Sequence, residues 1–211
     1  MISFTRPLAA GVALAAICLA QTGAGAQSTA PIAGGMQSTA PMAAGHARFS
    51  QAGVYSGAPD LPLTLSMIVA GGGPAHFKTT TLLGVLAGPK TSAEVAKLTK
   101  QFGAKNVTSF VTVFDFVVAD SLKIVTAKKV ALPKQPQPSP KDGKALAAAL
   151  YTAGVADGRY NVEIMLDKLV SHPIHVQVMD DIDAKYGRNA DANYHVVLTQ
   201  AMLDLKAAYG L

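Results

Sequence analysis

Apolar side chains recur at intervals of three and four residues through most of the chain after residue 60, which is the spacing of one face of an α-helix. The clearest stripe consists of Tyr194, Val197, Leu198, Ala201, Met202, Leu205 and Tyr209. Residues that favour helix starts, Asp142, Asn161 and Asn189, precede apolar stretches, and Gly154 and Gly187 follow them. We therefore predict helices over residues 142–154, 161–171, 173–187 and 189–209.

The stretch 106–125 is rich in Val, Phe and Thr, which favours a strand. Its apolar residues nevertheless follow helical spacing, and a strand of this length would be far longer than usual. We predict a helix here, and another that begins at Pro74, because proline suits the first helical position. Since no alternating strand pattern of useful length is present, the predicted fold is all-α, a compact bundle of six or seven helices.

Residues 1–26 have the pattern of a secretory signal peptide, with Arg6, an apolar run too short to span a bilayer, and a cleavage motif before Gln27. Residues 27–59 consist largely of small residues, Gly and Pro, which predicts a disordered tether. We expect one helical domain over residues 60–211, with a proline-rich crossover at 133–141. The predicted location is periplasmic or secreted, and the cleaved chain is not expected to be an integral membrane protein.

The composition excludes several chemistries. The single cysteine, Cys18, lies in the predicted leader, so the mature chain has neither a disulfide nor a thiol nucleophile. The sequence also lacks the HExxH and Gly-x-Ser-x-Gly motifs, which mark many zinc proteases and serine hydrolases. We therefore favour a non-catalytic binding or interaction protein, while the sequence leaves open whether it has an enzymatic activity.

Three histidines are the main candidates for a ligand site. His172, His175 and His195 lie at the edges of predicted apolar stripes, where an imidazole needs a hydrogen-bond partner, a ligand or a metal. Asp191 lies four residues before His195 and is predicted to orient its ring, while Met179 lies one turn after His175. The predicted ligand-binding set is His172, His175, His195, Asp191 and Met179. His175 and His195 are the predicted ligands of a metal ion or a haem; the alternative is that each histidine is bonded to backbone or carboxylate groups.

Two other classes of function remain open. An exported hydrolytic enzyme would need Glu163, Asp180 or Asp183 within hydrogen-bond reach of one of these histidines. Glu163 and Asp167 also lie four residues apart on one predicted helix face, as paired carboxylates would.

A structural module would bind an envelope partner through the lysines near the crossover, Lys123, Lys128, Lys129 and Lys134. No nucleic acid is expected as a partner, since tryptophan is absent and no aromatic residues alternate with these lysines.

Overall fold

The computed structural model describes residues 57–187 and 190–211. The α-helices are α1 (Leu61–Ala70), α2 (Thr79–Ala87), α3 (Thr91–Phe102), α4 (Ala104–Ala127), α5 (Gly143–Ala153), α6 (Val162–Val170), α7 (His172–Tyr186) and α8 (Ala190–Tyr209). A 3-10 turn over Gly88–Lys90 joins α2 to α3, and two short strands, β1 (Val155–Ala156) and β2 (Arg159–Tyr160), lie between α5 and α6. The predicted compact all-α fold is confirmed.

The long helix α4 is the central element, and it packs against α3, α7 and α8. Its buried face includes Phe110, Phe114 and Val117. The Phe114 ring lies 6.5 Å, centroid to centroid, from the ring of Tyr194 on α8. Because this face is apolar apart from Ser121, the helix period and not the strand propensity decided its structure, as predicted for residues 106–125.

The predicted helix boundaries of the second half agree with the structure. The side chain of Asp142 accepts a hydrogen bond from the Ala145 N–H at the start of α5, and that of Asn161 accepts one from the Glu163 N–H at the start of α6. Gly187 ends α7 with φ of 98°, a conformation that glycine adopts without strain.

The prediction that a helix begins at Pro74 is wrong. Residues 71–78 form turns and irregular backbone in place of a helical turn, and the Lys78 N–H donates back to the carbonyl of Gly71 at 2.9 Å. Helix α2 begins instead at Thr79, whose N–H and hydroxyl both donate to Asp115 Oδ1, at 2.6 and 2.7 Å. The cap of α2 therefore comes from α4, at a distance of 36 residues along the chain, and local spacing could not indicate it.

A two-stranded antiparallel hairpin, β1–β2, was not predicted. Its turn residues Asp157 and Gly158 both have positive φ, 50° and 72°. This is the backbone of a two-residue turn that Asp-Gly favours. The strands contain only two residues each, so no alternating pattern could develop.

The corner between α6 and α7 is a single residue, Ser171, with φ of 69° and ψ of 146°. Its N–H donates to the Asp167 carbonyl at 2.7 Å, and its own carbonyl accepts from the His175 N–H at 2.9 Å. This sharp corner turns the start of α7 back towards the end of α6. As a result, side chains of Asp167, His172 and His175 meet.

Several predictions fall wholly or largely outside the described residues: the signal peptide at 1–26, nearly all of the tether at 27–59, and Asn189 as a helix cap. The predicted crossover, residues 133–141, connects α4 to α5 without a helix or strand, and the carbonyl of Pro138 accepts a hydrogen bond from Ser66. In residues 57–187 and 190–211, no helix combines the length and the apolar character needed to cross a membrane.

Candidate metal centre

Three helices each contribute one metal-ligating side chain to a common point: Glu163 from α6, His175 from α7 and His195 from α8. One ligand atom from each lies within 4.8 Å of the other two. The side chains of His175, His195 and Glu163 are only 4%, 8% and 16% exposed. The cluster is therefore an interior group of donors and not an accidental crowding of surface charges.

The distances within the cluster are close to those between ligands of one ion. Nδ1 of His195 lies 3.0 Å from Oε1 of Glu163, and Nε2 of His175 lies 3.8 Å from Oε2 of the same carboxylate. Two ligand atoms that are each about 2.1 Å from an ion, at angles of about 90–109°, lie about 3.0–3.4 Å apart. The first pair already has this spacing, and the second requires a small side-chain rotation.

Asp167 fixes the orientation of His175. Its Oδ1 atom lies 2.6 Å from Nδ1 of His175, and both side chains are 4% exposed. In the neutral tautomer that donates from Nδ1 to this carboxylate, the opposite nitrogen, Nε2, carries a lone pair. Nε2 is buried and has no hydrogen-bond partner within the part of the chain that the structure describes. A carboxylate behind a histidine whose other nitrogen is available is the usual arrangement at metal sites.

His172 lies beside this group but not within it. Its Nδ1 is 3.2 Å from Oδ2 of Asp167, and its side chain is 39% exposed. Asp167 therefore contacts two histidines, one through each oxygen. His172 is placed to stabilise the carboxylate of Asp167 from the solvent side.

Met179 is buried, and its sulfur accepts a hydrogen bond of 3.4 Å from the hydroxyl of Tyr194. The Tyr194 ring in turn packs on His195, with 4.2 Å between the ring centroids. Burial raises the pKa of Tyr194 well above its usual value, and the charges of Glu163 and Asp191 add to this effect. Tyr194 is thus an uncharged side chain that packs beside the site.

Asp191 is buried, and its N–H donates to Oδ1 of Asp183 at 3.4 Å. Burial raises the pKa of Asp191, as does the carboxylate of Asp183, whereas a hydrogen bond with the backbone of Ala192 and the proximity of His195 lower it. Asp191 is thus in the electrostatic surroundings of His195, and its orienting role remains a prediction.

A narrow apolar pocket adjoins the cluster. Its lining includes Phe114, Val118, Ser121, Leu166 and Leu169, together with His175, and its free volume is about 20 Å³. His175 is both a wall of this pocket and a member of the ligand cluster.

No protein-family model, no curated protein and no solved structure matches this chain. We therefore infer a function from the geometry of the site alone.

The structure brings together both predicted metal ligands, His175 and His195, and places His172, Met179 and Asp191 around them. Sequence analysis did not identify Glu163 as a ligand or Asp167 as the orienting carboxylate. The signal was their i, i+4 spacing on the helix that immediately precedes His172 and His175.

The other candidate groups occupy different places. The carboxylate–histidine pair that the hydrolase alternative requires exists between Glu163 and His195. Asp183 contacts the backbone of Asp191, and Asp180 is exposed. The four lysines near the crossover, Lys123, Lys128, Lys129 and Lys134, are also exposed, and binding of an envelope partner by them remains a prediction.

Proposed function

We propose that this protein is an exported metal-binding protein, which holds one divalent first-row transition metal ion between Glu163, His175 and His195. The observation that carries the proposal is the convergence of these three buried donors from three helices within 4.8 Å. The bond between Asp167 and His175 supports it, since it leaves Nε2 of His175 available.

The donor set indicates the class of ion. Two imidazoles and one carboxylate suit zinc, iron, cobalt and nickel, whereas calcium and magnesium prefer sites built only from oxygen. Zinc sites with two histidines and one glutamate, and ferrous sites with two histidines and one carboxylate, both use this set.

The geometry favours a single ion over a haem. The rings of His175 and His195 lie 6.2 Å apart, centroid to centroid, and Glu163 contacts a nitrogen of each. A carboxylate at this position occupies the space that a haem plane would need. The pocket that touches His175 has a free volume of only about 20 Å³.

The direct test is a calorimetric titration of the purified, chelator-treated protein with Zn²⁺ and Co²⁺. We expect one ion per chain. In unfolding experiments, a free-ion concentration of 100 times Kd should raise the free energy of unfolding by about 2.7 kcal/mol. The variants Glu163→Gln, His175→Gln and His195→Gln are expected to lose this binding. His76→Gln, which replaces an exposed histidine, is the matched control and should bind as the wild type does. Absence of saturable binding to the wild type would contradict the proposal.

The Glu163–His195 contact also supports the hydrolase alternative, with Glu163 orienting His195 as a general base. The two functions make opposite demands, because an ion would occupy the atoms that such a base must use. If chelator treatment left the thermal stability unchanged and added Zn²⁺ did not raise it, the hydrolase alternative would be favoured.

Export is proposed from the sequence pattern of residues 1–26 alone. N-terminal sequencing of the protein from a fractionated host tests it. We expect the mature chain in the envelope or medium to begin at Gln27. An intact leader on protein from the cytoplasmic fraction only would contradict export.

A further inference from the structure

We propose that the metal centre accepts a small uncharged diatomic ligand, of the class of nitric oxide and dioxygen, which arrives through the apolar pocket beside His175. This inference rests on the proposed function, because the ligand would bind to the metal ion. It follows from the number of protein donors and from the size and polarity of the pocket. His175 connects the two, because it belongs to the ligand cluster and also lines the pocket.

The protein donors do not complete a coordination shell. Within the described residues the cluster consists of three side chains, whereas four ligands are usual for zinc and six for ferrous iron. The nearest further candidates are engaged elsewhere, Asp167 with Nδ1 of His175 and Met179 with the hydroxyl of Tyr194. A bound ion would therefore keep at least one position for an external ligand.

The pocket restricts which ligand can reach that position. Its free volume of about 20 Å³ holds one molecule about as large as water, so larger organic substrates do not fit. Its walls are predominantly apolar, with Phe114, Val118, Leu166 and Leu169 among them. Small anions would lose their hydration there without compensation, whereas voids lined by such side chains accept small apolar molecules.

Two polar side chains in the wall do not change this conclusion. The single hydroxyl proton of Thr64 is already shared between the carbonyls of Asp60 and Leu169. The hydroxyl of Ser121 is buried without a hydrogen-bond partner in the described part of the chain. It is a neutral donor, which suits the weakly polar oxygen end of a bound diatomic molecule but does not offset the charge of an anion.

The test uses the full chain loaded with Fe²⁺ under anaerobic conditions, with nitric oxide as the probe. We expect the half-integer-spin EPR signal of a ferrous nitrosyl centre, with one nitric oxide per bound iron. Azide, a small anion, should produce no spectral change at the same concentration. If Fe²⁺ binds with the expected stoichiometry and no nitrosyl signal forms, or if azide binds equally well, this inference is wrong and the proposed function stands. If Fe²⁺ does not bind while Zn²⁺ does, the inference is equally overturned. If neither ion binds, the proposed function itself fails.

The route is tested by filling the pocket. Val118→Ile adds one methylene group to its wall, and we expect nitrosyl formation to become slower by about tenfold or more. A second void of about 20 Å³, lined by Leu82, Leu150 and Ala201 among others, contains no member of the ligand cluster. Ala201→Val, which adds two carbon atoms to that void, is the control and should leave the rate unchanged. If nitrosyl formed at the same rate in both variants, whether or not that rate was below that of the wild type, the proposed route would be refuted. Ser121→Thr, which adds one methyl group and keeps the hydroxyl, provides a second test should Val118→Ile not fold.

Discussion

Asp167 and His175 form a buried pair in which a carboxylate oxygen lies 2.6 Å from Nδ1 of the imidazole. The two residues are eight positions apart, on consecutive helices joined by the single corner residue Ser171. The pair fixes both the orientation of the ring and the nitrogen that carries its proton. In the neutral tautomer that donates from Nδ1, Nε2 of His175 is an electron-pair donor 3.8 Å from the carboxylate of Glu163.

Asp167→Asn should weaken metal binding without abolishing it. The amide oxygen can still accept the Nδ1–H hydrogen bond, but it lacks the charge that raises the basicity of the imidazole. We expect the Kd for Zn²⁺ to rise by about 10–100-fold, as for other carboxylates that orient a metal-bound histidine. Calorimetry measures this change. Asp142→Asn, the same substitution at an exposed helix cap, is the control, and an equal loss of affinity there would contradict a specific role for Asp167.

The two histidines that share Asp167 should behave differently. His175→Ala removes a proposed ligand and should abolish stoichiometric binding of Co²⁺. His172→Ala removes a half-exposed neighbour and should change the affinity by less than about fivefold, which corresponds to about 1 kcal/mol. The visible absorption of the Co²⁺ form reports both. Loss of the spectrum in His172→Ala with retention in His175→Ala would reverse the assignment.

Ser171→Gly should stabilise the protein. Ser171 has a positive φ combined with an extended ψ, a conformation that costs a residue with a Cβ atom about 1–3 kcal/mol. Glycine removes this strain but increases the entropy of the unfolded chain, so we expect a net gain of about 1 kcal/mol in urea unfolding. Ser171→Ala retains the Cβ atom and should give no gain. A destabilised Ser171→Gly variant would show that the corner is not strained.

The Glu94–Asp204 pair between α3 and α8 should make stability depend on pH. Burial, and then a hydrogen bond with Asp204, raise the pKa of Glu94 from 4.5 to about 7. The folded protein therefore holds this proton more tightly than the unfolded chain does. The contribution of Glu94 to stability is fully present below pH 4.5 and is lost as the pH rises from 4.5 to 7.

Glu94→Gln should remove this dependence and stabilise the protein at pH 8 relative to the wild type. We expect about 1 kcal/mol, a value reduced for the partial exposure of Glu94, which corresponds to about 2–4 °C in Tm. The measurement is the difference in Tm between variant and wild type at pH 5 and pH 8. Asp157→Asn, at an exposed carboxylate, should show no such change between the two pH values. A difference for Glu94→Gln that does not increase with pH would contradict the raised pKa.

The helical fold could be predicted because its determinants are local. Apolar residues at helical spacing identified α4 despite its many β-branched residues, and Asp142 and Asn161 marked helix starts through contacts with residues two or three positions away. The start of α2 could not be predicted, since its cap, Asp115, is brought to Thr79 only by tertiary packing.

The candidate site could be predicted in part for the same reason. His175 and His195 were recognised because an imidazole at the edge of an apolar stripe needs a partner. The partners, Asp167 and Glu163, resembled surface carboxylates beside Lys168 in the sequence. Their burial depends on the packing of α6 against α7 and α8, which follows from the sharp corner at Ser171. The positive φ of a serine has no signal in the sequence, so this arrangement required the structure.

Anomalous diffraction from crystals of the Zn²⁺-loaded protein, collected on both sides of the zinc absorption edge, shows whether Glu163, His175 and His195 hold the ion. We expect one strong peak per chain, about 2.0–2.2 Å from a carboxylate oxygen of Glu163 and from one ring nitrogen each of His175 and His195. A peak at any other group of residues, or no peak in crystals grown at saturating Zn²⁺, would contradict it.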